Sequence, residues 1–471
     1  MTIRWGEQAI IALAVIYLAA LSVSMNYLSY DVWGALIVLP PLTLIGILGV
    51  RRMFTGRLKS LASIMYAALF MKFGGAAAKY FVSFGAYGGA TDAQEYHVLA
   101  SQAAGLVWSG KKDFTSILPS GTGTEFMTRF TAFVYTLTGT SKIGGYLIFS
   151  WMAFWGICLF VKGACLAIPG LRRRRYAIFC AFGPSIVYWP SSIGKEAVMM
   201  LALGCVTYGF ARMLSRRGFV APMLMAIAGL GLAVGVRPHI AALWIGGLLP
   251  ALVVALFRGR GEAGIRRGAR AFDRAVLLVI IGIAGTALVL IGNATLKFLD
   301  PSKEDATKSD ATNITSILNE TARRTSQAGS AFTPPKISSP LDWPLASLRT
   351  LLRPLPIEAH GAGQLFSAAE IALFIVVCAL SWRRLANLPR MIFTNSFVTF
   401  AMTSLFFGGL AYASFANLGL LVRQKSLLLP LMFLIPCLPS PPIREPRRAL
   451  VEREHSARDA GGQRELATTR R

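Results

Sequence analysis

Long apolar runs separated by short polar breaks dominate the chain. The runs cover 10–28, 32–50, 61–73, 146–161, 176–189, 197–210, 220–236, 240–257, 275–291, 368–380, 391–410 and 427–437. Many approach the roughly 20 residues that cross a bilayer as a helix. The pattern therefore predicts an all-α, polytopic bundle of about twelve spans, since only helices satisfy their own backbone across lipid. Two polar stretches interrupt it, at 74–144 and 293–367. A weaker apolar patch near 126–137 and the segment TDAQEYH predict short helices lying along the membrane surface within the first stretch. Residues 1–438 form the expected membrane domain. The Arg/Glu-rich remainder, 439–471, lacks apolar periodicity and is expected to be disordered.

Composition sharpens this picture. Of 471 residues 54% are hydrophobic, mean hydropathy is +0.55 and formal net charge is +26. So basic a protein could bind nucleic acid, but the positive charge falls in clusters between apolar runs. The segments 51–59, 162–175, 212–217, 258–274 and 383–390 together hold 21 Lys/Arg and two acids, Glu262 and Asp273. The stretch 74–144 holds five Lys/Arg against four acids, and 293–367 holds eight against seven. One orientation puts every basic break in the cytoplasm and both polar stretches outside, with both termini inside. Treating 126–137 as a full span would place the Arg172–Arg175 cluster outside, so it is excluded. The first run is too long, and lacks the small-residue cleavage site, for a removable signal peptide. The six cysteines lie in or beside apolar runs without metal or disulfide spacing. No repeat recurs at a fixed period.

This orientation gathers ionisable residues at the outer face. The run 183–239 is central: GPSIVYWPSSIGKEA opens one span, GVRPH closes the next, and two opposed spans bring Lys195 and Glu196 to the level of Arg237 and His239. Asp92, Glu95 and His97 (TDAQEYH), Arg353, Glu358 and His360 (RPLPIEAH), and Arg423 with Lys425 (VRQK) join them. Basic residues are normally depleted on that side, and ionisable groups at membrane depth pair, line a wet cavity or act chemically. Outward-facing Arg and Lys suit a lipid-borne phosphate or diphosphate, Arg by its bidentate fork. Fixed cations stabilise a departing diphosphate, and a carboxylate or His can take the proton of an attacking hydroxyl. Asp92 and Glu95, three apart, would share a helix face, which suits metal binding or solvation equally. GTGTE (121–125) is Gly-rich without the Lys of a P-loop and reads as a loop. The sequons at Asn293, Asn313 and Asn319 read as chance occurrences. Trp151, Trp155, Tyr188, Trp189 and Trp343 read first as an interfacial belt, with sugar stacking by Trp189 or Trp343 a secondary role.

With YWPSSIGKEA in a membrane run, RPH at a span end, a large external stretch between the ninth and tenth runs and a late R-x-K, the chain resembles multispanning bacterial envelope glycosyltransferases of the GT-C type. Within these, it is similar to Wzy-type polysaccharide polymerases and O-antigen ligases. The resemblance implies a metal-independent enzyme of the bacterial inner membrane acting on a polyprenyl-diphosphate-linked oligosaccharide donor and a glycan acceptor. Membrane lipids and other polysaccharide-export components are then the expected partners, and nucleic acid is not. It would place Arg237, Arg353 and Arg423 on the diphosphate, and Glu358 or His360 as base. The monosaccharide-transferring branch would instead use an early acidic motif, here at Asp92, with a divalent metal as its one cofactor. A transporter or flippase of lipid-linked or acidic solutes and a non-catalytic assembly subunit are the rival functions.

Overall fold

The computed structural model describes residues 5–215, 218–258, 339–359 and 361–441, with short pieces between 281 and 289. His360, the sequons, the basic break from 259 to 274 and the tail beyond 441 lie outside the described residues. Within them the chain is helical, with no strand. Helices α1 (Trp5–Tyr27) and α2 (Tyr30–Met53) form an N-terminal hairpin. Next come α3 (Ala62–Phe81), α4 (Asp92–Trp108), α5 (Thr124–Thr138) and α6 (Lys142–Ala167). They are followed by α7 (Arg173–Phe182), α8 (Pro184–Tyr188), α9 (Lys195–Leu214), α10 (Val220–Val236) and α11 (Pro238–Arg258). The C-terminal part holds α12 (Trp343–Leu351), α13 (Ala362–Leu380), α14 (Leu388–Thr394), α15 (Ser396–Tyr412) and α16 (Leu418–Lys425).

Among the described residues six helical segments are long and apolar enough to cross a membrane: 30–53, 56–86, 142–167, 195–214, 238–257 and 363–380. Two bent pairs, kinked by 105° between 394 and 396 and by 62° beyond Lys425, raise the number to eight. The runs at 11–27 and 220–236 form shorter apolar helices. Two boundaries differ from the hydropathy pattern. The third run does not stop at Phe73 but stays helical to Phe81 and through a π-turn to Ala86, carrying Lys72 and Lys79. The fifth, 176–189, is broken: Gly183 and Pro184 end α7, α8 lasts one turn, and 189–194 is unwound. Proline lacks the amide that would continue the helix.

The core forms around α6 and α9. Lipid tails are as apolar as leucine, so close backbone approach at small residues must hold the helices together. A Cβ at Gly156 would lie 2.2 Å from the Met200 carbonyl, and one at Gly204 would lie 2.5 Å from that of Gly156. Helix α10 meets α9 in the same way, Gly229 against the Ala202 carbonyl and Gly209 against that of Pro222. The Trp244 indole donates to Thr207 Oγ1 at 3.0 Å and ties α11 to α9. Asn395 caps α15, accepting from the amides of Phe397 and Val398 while its side-chain amide donates to the Ala167 carbonyl. All six cysteines are free.

Helix direction separates two ends. Glu196 opens α9 and Arg212 closes it, about 25 Å apart at 1.5 Å per residue. At the Arg212 end lie the last turns of α2 (Arg51, Arg52) and α13, followed by Arg383 and Arg384. The Glu196 end receives the end of α3, the start of α4, the end of α10 and the start of α13.

Candidate functional site

At the Glu196 end a cleft of about 520 Å³ opens between α3, α4, the 188–193 stretch, α13 and α16. Its polar wall is Lys79, Thr91, Asp92 and Arg423. Its apolar wall is Tyr188, Trp189, Ile193 and Phe366. The volume suits one ligand of moderate size.

Each polar residue arrives at a helix end. Asp92 and Glu95 occupy the first turn of α4, where the helix dipole favours acids. Lys195 and Glu196 open α9, and Arg237 terminates α10. These groups form a chain of ion pairs. Glu196 Oε1 accepts from Arg237 Nη2 at 2.6 Å and from Arg423 Nε at 2.7 Å, and Arg423 Nη2 reaches Asp92 Oδ2 at 2.9 Å. Glu196 is 2% exposed, whereas the Asp92 side chain is 54% exposed and borders the cleft. A buried acid held by two guanidiniums is a fixed counterion, and its half-exposed neighbour is the carboxylate a ligand can reach. Lys195 turns to Thr124, Nζ to Oγ1 at 3.2 Å.

The GTGTE segment, read from sequence as a plain loop, supports Lys195 and the end of α10. Gly121 and Gly123 have φ of +75° and +68°, the left-handed region open to glycine. This turn lets the Gly123 amide donate to the Gly235 carbonyl at 2.8 Å, which fixes Thr124 beside the end of α10. Burial pushes the phenol of nearby Tyr96 up to about 12.

The aromatic wall rests on α3. Lys79 Nζ stands 4.2 Å from the Tyr188 ring centroid and 4.4 Å from that of Trp189, and the two rings meet edge to face at 5.2 Å. Lys72, Gly75 and Lys79 are three and seven residues apart and share one face of α3. The Lys72 amino group, fully buried, donates to the carbonyls of Ile186 (3.2 Å), Val187 (3.4 Å) and Pro190 (3.0 Å) and to Ser191 Oγ (2.6 Å). Neither lysine was among the candidates from sequence, nor was Glu370, buried in α13. The signal was there, since each is an ionisable residue in or against an otherwise apolar run.

The remaining candidates lie elsewhere. Glu95 faces outward and is exposed. His97 Nδ1 pairs with Tyr135 OH at 2.8 Å, joining α4 to α5, and burial with nearby Lys142 holds its pKa below the ordinary value while Asp31 opposes them. His239 follows Arg237 in the first turn of α11, near Gln424. Arg353 and Glu358 pair with each other at 3.0 Å, Glu358 Oε2 also accepts the Leu355 amide at 3.0 Å, and the Lys425 ammonium donates to the Arg353 carbonyl. Glu358 is thus engaged within its own turn. No group of three or more His, Cys, Asp or Glu that could hold a metal occurs among the described residues.

Compared with known proteins, the chain matches no family model, no curated protein and no solved structure.

Proposed function

We propose that the chain is a membrane glycosyltransferase acting on a polyprenyl-(di)phosphate-linked glycan, with polymerisation of an exported polysaccharide as its reaction. One observation carries this: one cleft is lined by a reachable carboxylate, Asp92, by its partner Arg423, by Lys79 and by an aromatic and aliphatic wall. Such a lining suits an amphiphile with an anionic head, and the rings suit a sugar face.

In this reaction the acceptor hydroxyl gives its proton to Asp92 while its oxygen attacks the anomeric carbon. The bond from that carbon to the donor phosphate oxygen breaks, and the leaving phosphate keeps the electron pair. Lys79 and Arg423 receive the charge it gains. The transfers are coupled through Arg423. As Asp92 is neutralised, Arg423 Nη2 loses its carboxylate partner and turns to the phosphate, while Glu196 keeps the guanidinium in place through Nε. Under this proposal the chain crosses the inner membrane about twelve times, with the cleft on the periplasmic face, both termini in the cytoplasm, and lipids, donor, acceptor and other export components as partners.

A second version draws on the same carboxylate, since the polymerase resemblance gives the role of base to Glu358 or His360. Asp92, on the early stretch, borders the cleft, whereas Glu358 is held by Arg353 and a backbone amide. This favours a monosaccharide transferase, for which a divalent metal would be the one cofactor. The broken α7–α8 segment in turn favours the transporter alternative, since carriers bind at interrupted helices. Protein in lipid nanodiscs, given a labelled polyprenyl-diphosphate oligosaccharide, should form a product ladder. Asp92→Asn should lower turnover by roughly 10²–10⁴-fold, and Glu358→Gln should retain it. A product extended by a single sugar and lost with chelator selects the monosaccharide version. Translocation of intact donor without bond cleavage refutes glycosyl transfer.

A further inference from the structure

We propose that Lys72 and Glu370 are positioning residues: two buried side chains, one a donor and the other an acceptor, that hold the backbone of the interrupted stretch 183–194 and so fix where Tyr188 and Trp189 stand. Their importance to ligand binding rests on the cleft being the ligand site, but the placement itself does not.

A one-turn helix followed by unwound chain leaves backbone donors and acceptors unpaired, and water is not at hand in an apolar bundle to satisfy them. Here side chains do so, an acceptor facing an amide and a donor facing carbonyls. At the start of α8, Glu370 Oε1 accepts the Ser185 amide at 3.3 Å. At its end, the Lys72 amino group collects the carbonyls of Ile186, Val187 and Pro190. Serines complete the Lys72 side: Ser150 Oγ donates to the Lys72 carbonyl at 2.7 Å and meets Ser191 Oγ at 3.2 Å, while Ser191 donates to the Val187 carbonyl at 2.5 Å. The stretch is also pressed against α3, because a Cβ at Gly75 would lie 2.6 Å from the Val187 carbonyl. One helix face therefore supplies the clamp (Lys72), the close contact (Gly75) and the cation over the rings (Lys79). Any slackening at Lys72 is passed to Tyr188 and Trp189 directly.

The full-length protein, with its tryptophans replaced by 5-fluorotryptophan, would be read by fluorine NMR in lipid nanodiscs, using Trp189→Phe to assign the Trp189 resonance. Lys72→Met and Glu370→Leu should shift or broaden that resonance and leave that of the exposed Trp382 in place. Glu370→Gln, which keeps an acceptor for the Ser185 amide, should restore the parent spectrum. Should Lys72→Met not insert, Gly75→Ala perturbs the same contact independently and should also move Trp189. Binding of fluorescent polyprenyl phosphate should weaken about five- to thirtyfold in Lys72→Met, the scale of one displaced cation–aromatic contact. An unchanged Trp189 resonance in both Lys72→Met and Glu370→Leu overturns the proposal, as does a uniform shift of every tryptophan, which marks a general structural role. If the parent protein binds no polyprenyl phosphate while the Trp189 response is as expected, the positioning role stands and the glycosyl-transfer function falls.

Discussion

Glu196→Gln should be the most damaging single change in the ion-pair chain, and the structure indicates why. The wild-type carboxylate neutralises two guanidiniums through one oxygen, at 2.6 Å to Arg237 and 2.7 Å to Arg423. Glutamine keeps at most one acceptor there and no charge, so two like charges are left facing each other. Arg423 retains Asp92 as a partner and is partly solvated, whereas the Arg237 side chain is 8% exposed and its other terminal nitrogen, Nη1, has no hydrogen-bond partner among the described residues. The loss therefore falls mainly on Arg237. Breaking a buried pair from one side costs about 3–5 kcal/mol. Arg237→Met removes the stranded cation while Glu196 keeps Arg423, so it should cost less, about 1.5–3 kcal/mol for one charged hydrogen bond.

These unequal expectations make a double-mutant cycle informative. In the double variant Glu196→Gln/Arg237→Met, the cation that Glu196→Gln alone would strand is gone, so the combined loss should fall short of the sum by about 1–3 kcal/mol. Equilibrium unfolding in mixed detergent–lipid micelles, followed by circular dichroism, measures each corner. Additivity within about 0.5 kcal/mol would mean that the two side chains do not share their energy, and would refute the account of Glu196 as a counterion built for Arg237.

Two further outcomes are expected. Burial and Lys142 hold the folded-state pKa of His97 below its ordinary value of 6.5, so the unfolded chain takes up the proton first; the stability His97 contributes is complete above that value and declines as pH falls beneath it, a decline that His97→Gln should flatten in pH-dependent unfolding. Single cysteines at Gly88 and Thr55, near opposite ends of the segment 56–86, should react with an impermeant thiol reagent on opposite sides, Gly88→Cys in intact cells and Thr55→Cys only after lysis; the reverse pattern would place the cleft in the cytoplasm.

The helical class, the apolar segments and the gathering of charged residues at span ends were legible in sequence, because period, length and charge clustering are local properties. The pairing of α9 with α10 could be read the same way: a short basic break between two apolar runs makes a hairpin, and a hairpin brings Glu196 level with Arg237. Elsewhere hydropathy averaged over what mattered. Lys72 passed as part of the apolar run 61–73, and Lys79 was counted among the charges of the external stretch 74–144. Glu370 was hidden as Lys72 was. Their partners are backbone carbonyls, an amide and aromatic rings more than a hundred residues away, and no sequence spacing records those.

The choice between carboxylates shows where sequence logic ends. RPLPIEAH places an Arg, an acid and a His within eight residues and reads as a compact reactive set. In the folded chain that proximity consumes the acid, because Glu358 closes on Arg353 and on the Leu355 amide of its own turn. Asp92 has no such neighbour in sequence. Its cation, Arg423, comes from the far end of the chain and is already shared with Glu196, so Asp92 stays half exposed beside the cleft. A carboxylate can act as a base when its partners hold it without saturating it, and saturation is set by partners that only the fold brings together. Under the proposed glycosyl transfer, local density of charged residues is therefore a poor guide to the base. Divided allegiance of a distant arginine, here Arg423 between Glu196 and Asp92, is the feature on which that proposal selects Asp92.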